Sequence, residues 1–156
     1  MKLSVVYQPA APASTSPYRV CDNQGELDWA NAFLDSQRLR QLSPRSLRIY
    51  AYDLLDFARW FEPQHRRLAE MTESTIVDYV RHQLEQDPKP TPQTVNHRLG
   101  TVRSCYRFHT GQDIPAGKVH FQRRYIQRSP LGYGRPRTAV TRKLLKNASG
   151  EVRLLR

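Results

Sequence analysis

The sequence predicts an all-α fold: a compact bundle of four helices, with a flexible N-terminal arm before it and a basic C-terminal tail after it. Three observations carry this expectation. Apolar residues recur at helical spacing in four separate segments between residues 27 and 111. Two of those segments open on a Ser-Pro or Thr-Pro pair, which marks a helix start. No stretch shows the sustained alternation of a half-buried strand. A length of 156 residues fits one domain, and 38% hydrophobic residues suffice for a modest core.

The arm is assigned to residues 1–25. From Gln8 it runs Gln-Pro-Ala-Ala-Pro-Ala-Ser-Thr-Ser-Pro, the composition of a flexible linker. The helical domain is assigned to residues 26–115. Its first helix is expected from about Leu27 to Arg40, with Trp29, Phe33 and Leu34 on one side. The second starts on Ser43 as N-cap and Pro44 at the first helical position. Its apolar stripe is Leu47, Tyr50, Leu54, Phe57 and Phe61; the helix from Pro44 to Phe61 would span roughly 27 Å, and Pro63 stops it.

The third helix opens on Thr72, presents Ile76, Tyr79, Val80 and Leu84, and is closed off by Pro88 and Pro90. The fourth opens on Thr91 and Pro92, and buries Val95, Leu99, Val102 and Tyr106. Gly111 stands just past its end, where a left-handed C-terminal stop is expected. Residues 116–156 form the tail. There the period dissolves into Arg, Gly, Pro and isolated aromatics, with a short helix conceivable over 138–146.

Charge is distributed unevenly. The chain carries 25 Lys+Arg against 14 Asp+Glu, a formal net charge of +11, and 20 of the 25 are Arg. Residues 1–90 hold 11 basic and 12 acidic side chains, whereas residues 91–156 hold 14 basic and 2 acidic. The excess therefore belongs to the last helix and the tail. Such an asymmetry points to a polyanion, nucleic acid first. No run approaches the apolar length of a membrane-spanning helix, and Met1 to Val6 is too short for a secretory signal. Cys21 and Cys105 lie 84 positions apart and form no metal or disulfide framework. The expectation is a cytoplasmic protein with no cofactor, no metal, no membrane partner and no small-molecule substrate.

The polar faces of the second and fourth helices hold the side chains suited to nucleic acid. The second offers Arg45, Arg48 and Arg59; the fourth offers Gln93, Thr94, Asn96, His97, Arg98, Arg103 and Arg107. Arg, Asn and Gln reach base edges, while Thr and His serve phosphates. A solvated polar face would have the same pattern. Cys105 reads as a small core filler, Trp29 and Trp60 as core aromatics, and His65 and His82 as surface residues without partners spaced for metal.

Two segments resemble a known family. Leu42-Ser43-Pro44-Arg45-Ser46-Leu47-Arg48-Ile49-Tyr50-Ala51-Tyr52-Asp53-Leu54-Leu55-Asp56-Phe57-Ala58-Arg59-Trp60 resembles the L-S-x-x-T-x-x-x-Y-x-x-D-L-x-x-F-x-x-W segment of tyrosine recombinases, the phage-type integrases. Ser46 stands where Thr is usual. Thr94 to Phe108 (Thr-Val-Asn-His-Arg-Leu-Gly-Thr-Val-Arg-Ser-Cys-Tyr-Arg-Phe) resembles that family's T-x-N-x-x-L-x-x-[LV]-R-x-[FC]-Y-x-F segment. The resemblance spans residues 26–115 and implies a SAM-like core-binding domain, one half of a clamp around duplex DNA. It implies that the second and fourth helices face DNA, with Arg45, Arg48, Asn96, His97, Arg98 and Arg103 as contacts. Other recombinase protomers are implied partners.

The family cuts DNA with a tyrosine, assisted by arginines, a lysine and histidines in a separate C-terminal domain. Only 41 residues follow Pro115, too few for that domain, so a non-catalytic, truncated chain is expected. His120-Phe121-Gln122-Arg123 matches the family's His-x-x-Arg by spacing alone, and Tyr125 and Tyr133 stand too close to that histidine to serve as the nucleophile. Gly134-Arg135-Pro136-Arg137 resembles the core of an AT-hook, a minor-groove element. The plainer reading is a linker that tracks the phosphate backbone together with Arg123, Arg124 and Arg128. The expected function is DNA binding in integration and site-specific recombination, in a bacterial nucleoid or mobile-element setting. The alternatives are a stand-alone architectural DNA-binding protein that competes with or assists a recombinase, and a helical module for protein or RNA.

Overall fold

The computed structural model describes residues 2–116. The candidate residues Arg123, Arg124, Arg135 and Arg137, the His120–Arg123 pair and the possible helix over 138–146 lie outside the described residues.

Three short strands come first: β1 (Ser4–Tyr7), β2 (Tyr18–Asp22) and β3 (Gly25–Glu26). They form one antiparallel sheet in the order β1-β2-β3, with Ser4 opposite Cys21 and Tyr7 opposite Tyr18. This corrects the expectation of a flexible arm over residues 1–25 and of a purely all-α chain. The Pro/Ala/Ser segment is the connection between β1 and β2, not the whole arm. The strands escape a periodicity reading because they are short. Val5 and Val6 are adjacent apolar residues, and β2 holds the charged Arg19 at a buried position.

Four helices follow: α1 (Asp28–Leu39), α2 (Pro44–Phe61), α3 (Glu73–Leu84) and α4 (Pro92–Thr110). Single 3-10 turns at Glu62–Gln64 and Leu68–Glu70 lie between α2 and α3. The helix starts are as the sequence predicts. Ser43 Oγ accepts from the Ser46 N–H at 3.2 Å, with Pro44 at the first position of α2. The Thr72 N–H donates to Thr75 Oγ1 at 3.2 Å at the start of α3. Thr91 Oγ1 accepts from the Thr94 N–H at 3.2 Å at the start of α4. Gly111 sits at φ +72° and donates to Arg107 O at 2.8 Å, the left-handed stop expected of a glycine there.

The described residues divide into two compact units, and α4 contributes to both. The first unit holds the sheet, α1, α2, residues up to Glu70 and α4 from Gly100 onward. Its core gathers Leu3, Val20, Ala30, Phe33, Leu34, Ala51, Leu54, Leu55, Ala58 and Cys105. Trp29 packs edge-on to Phe57, which stacks on Phe61. The indole of Trp29 donates to Glu62 Oε1 at 2.9 Å, so this half-buried ring keeps a partner for its N–H.

Two buried polar groups inside this unit, Arg19 and Asp53, are paired. The Arg19 guanidinium donates to both carboxylate oxygens of Glu26, at 2.8 and 3.0 Å, and to Asp35. Thr101 on α4 donates its hydroxyl to Asp53 on α2 at 2.7 Å, and both residues are buried. Pairing is what makes such burial tolerable, because an unpaired buried polar group costs about 1–3 kcal/mol.

The second unit holds α3, α4 up to Leu99 and the chain from Ile114. It buries Met71, Ile76, Tyr79, Val80, Val95, Leu99 and Ile114. The first N–H of α3, that of Glu73, donates to Pro115 O at 2.9 Å. Gln83 rather than Leu84 is the fully buried residue on the last turn of α3. Among the described residues, no helix is long and apolar enough to cross a membrane.

Candidate nucleic-acid interface

On α2, the buried side consists of Leu47, Ala51, Asp53, Leu54, Leu55, Phe57, Ala58 and Phe61, which leaves the opposite side to solvent. Arg45 and Arg48 lie on that outer side, both exposed. Ile49 and Tyr52 share it, with 40% and 46% of their surface open. The Arg48 guanidinium carbon lies 5.3 Å from the centre of the Tyr52 ring. Arg59, further along, donates to Leu3 O at 3.2 Å and so ties α2 to the residue before β1.

The first half of α4, in the second unit, carries Gln93, Thr94, Asn96, His97 and Arg98. Gln93 and His97 are exposed and stand one helical turn apart. Thr94 is half-buried, and its hydroxyl bonds that of Thr91 at 3.0 Å. Asn96 is half-buried. Arg98 is half-buried as well, and donates to the Oε1 of the buried Gln83 at 3.2 Å. That bond ties the guanidinium end of the side chain to α3.

The second half of α4, in the first unit, carries Arg103 and Arg107. They are one turn apart, with Val102 and Tyr106 buried beside them as the periodicity requires. Arg103 is half-buried and Arg107 exposed. Arg107 donates to Asp113 Oδ1 through Nε at 2.9 Å and again through Nη2. One of the two acidic residues in the basic region thus neutralises part of its charge.

The structure therefore separates the candidates chiefly by their exposure. Arg45, Arg48, Gln93 and His97 are exposed on helix surfaces. Arg98 and Arg107 are exposed less fully or already paired. Arg123, Arg124, Arg135 and Arg137 fall outside the described residues. Tyr52, Gln83 and Asp113 were not singled out by sequence reasoning. Tyr52 was legible as the residue four after Arg48 on an outward face. Gln83 and Asp113 were not, since their pairings depend on how the chain folds back.

The chemistry available at these faces is hydrogen bonding, as donor and acceptor, and positive charge. Among the described residues, no group of three or more His, Cys, Asp or Glu is placed to hold a metal ion. The family described as phage integrase, N-terminal SAM-like domain, matches residues 31–113.

The chain belongs to this family. No match was found among curated proteins or among solved structures. The SAM-like domain spans α1 to α4, so the N-terminal sheet, from Ser4 to Glu26, precedes the matched region. Asp53 and Thr101 fall inside it, as do the candidate contacts from Arg45 to Arg107.

Proposed function

We propose that this SAM-like domain binds double-stranded DNA as the core-binding part of a tyrosine-recombinase system and does not itself cut DNA. The observation that carries the reading is the family match over residues 31–113, in a chain whose charge excess lies from residue 91 onward. Arg45 and Arg48 on α2, with Gln93, Thr94, Asn96, His97 and Arg98 on α4, supply contacts to phosphates and base edges. Arg103 and Arg107 extend the charge along α4. Arg123, Arg124, Arg135 and Arg137 track the backbone from the tail. Other recombinase protomers share the DNA site, in the nucleoid of a bacterial cytoplasm.

Equilibrium binding to a fluorescein-labelled duplex tests this. Affinity should fall steeply between about 50 and 200 mM salt, as the release of condensed counterions requires. Absent or salt-independent binding would overturn the reading. Arg98→Ala and Arg103→Ala should each weaken site-specific binding more than Arg153→Ala. Incubation with supercoiled plasmid should leave no detergent-resistant protein–DNA adduct; an adduct would overturn the non-cutting half of the proposal.

A further inference from the structure

The outer side of α2 has a feature that the family motif does not account for. Arg45, Arg48, Ile49 and Tyr52 follow the i, i+3, i+4, i+7 spacing that places residues on one helix face, and all four are exposed. The motif positions of the matching segment fall on Tyr50 and Asp53, not on Tyr52. Tyr52 is also not spare surface, because its ring lies 5.3 Å from the guanidinium carbon of Arg48.

Arg48 stands apart from other arginines of this unit in what holds it. Arg19 is locked by Glu26 and Asp35, and Arg107 by Asp113. Among the described residues, no carboxylate forms an ion pair with Arg48. A ring attracts a guanidinium through its π electrons and keeps it charged, without using up its hydrogen-bond donors. The in-plane N–H groups stay available for a two-point contact with an anion. Holding a long side chain before its ligand arrives also lowers the entropy lost on binding.

We infer that Tyr52 is a positioning residue. It holds the Arg48 guanidinium ready to take two oxygens of a backbone phosphate of duplex DNA. The inference rests on the DNA-binding reading above, and the experiment separates the two.

The full chain is titrated onto a labelled mixed-sequence duplex at several salt concentrations. Tyr52→Leu keeps a helix-compatible apolar side chain and removes the ring. It should weaken binding by about 2–5-fold, the range an exposed cation–π contact supports. Tyr52→Phe, which keeps the ring, should restore wild-type affinity. In an Arg48→Ala background, Tyr52→Leu should change nothing further. Equal losses in both backgrounds would show that the ring acts on its own, and no loss in either would show that it does not act; both overturn the inference. A Tyr52→Phe variant as weak as Tyr52→Leu would move the role to the hydroxyl and overturn it too. If the wild-type chain fails to bind duplex at all, the DNA reading itself falls and takes this inference with it. Unchanged circular dichroism and thermal melting of the variants exclude loss of fold as the cause.

Discussion

The side-chain amide of Asn31 pairs with both backbone polar groups of Val20. The Val20 N–H donates to Asn31 Oδ1 and Asn31 Nδ2 donates to Val20 O, each at 2.8 Å. On its other side, β2 is paired with β1, so the asparagine occupies the place a further strand residue would take. Val20 is fully buried and Asn31 nearly so, which leaves water no part in satisfying these groups. A helix side chain thereby anchors the sheet to α1.

Replacement of Asn31 by Leu removes both bonds. Val20 O keeps the Leu27 N–H at 2.9 Å, but the Val20 N–H is left buried and unpaired. The expected loss is about 2 kcal/mol, the cost of one orphaned donor plus a lost bond. Urea denaturation should report it as a lower midpoint with an unchanged slope.

The Arg19–Glu26 pair makes stability depend on pH in a defined direction. Hydrogen bonding to Arg19 holds the Glu26 carboxyl below its ordinary range. Its stabilisation is therefore complete above the unfolded carboxylate pKa of about 4.3 and is lost as pH falls through the lowered folded value. Glu26→Gln should cost roughly 1 kcal/mol at neutral pH, a figure discounted for solvent screening at a partly exposed carboxylate. Melting temperatures of the two proteins should differ by a constant amount at neutral pH and converge below about pH 4.

Gly100 lies inside α4, and a Cβ built there meets nothing within 4 Å. Gly100→Ala should therefore stabilise the protein by about 0.5–1 kcal/mol through helix propensity alone. Thermal melting should show a rise of several degrees; a fall would mean that the site is not open.

The proposed DNA contact gives Arg107 and Asp113 opposite effects on binding, because the two side chains pair with each other. Asp113→Ala frees the Arg107 guanidinium and removes a negative charge from the basic half. Affinity for duplex should rise, with the log-log salt dependence steeper by up to about 0.9 if Arg107 then meets a phosphate. Arg107→Ala should do the reverse. An unchanged slope in both variants would take Arg107 off the interface.

The two thiols should differ in reactivity. Cys105 is 1% exposed, and burial pushes its thiol far above the ordinary range. Cys21 is half-exposed, with its thiol pushed up chiefly by desolvation. A disulfide reagent should therefore modify Cys21 alone, and slowly, in the native protein, and both residues after unfolding.

The helices and their limits were legible in the chain because the signals for them are local. Ser43-Pro44 and Thr91-Pro92 need only their own next turn to act as helix starts, and Gly111 needs only its own backbone freedom. The buried set Val95, Leu99, Val102 and Tyr106 follows from the helical period without knowledge of what it packs against. The candidate contacts were legible only as a list of suitable side chains. A sequence shows that Arg98 and Arg107 are basic, but not that Gln83 and Asp113 have already engaged them.

By itself, then, the sequence determined the four helices, the concentration of charge after residue 90 and the family of the domain. The first two depend on neighbours within a turn or on composition, and the third on the resemblance of two ordered segments to a known family. Tertiary structure alone decided that three strands between Ser4 and Glu26 form a sheet, since Val20 of β2 bonds Asn31 and the buried Arg19 bonds Asp35, both on α1. It also decided which arginines meet a partner within the protein, as Arg98 meets Gln83 and Arg107 meets Asp113. Pairing of a charge depends on groups brought close in space, and spacing along the chain does not encode that.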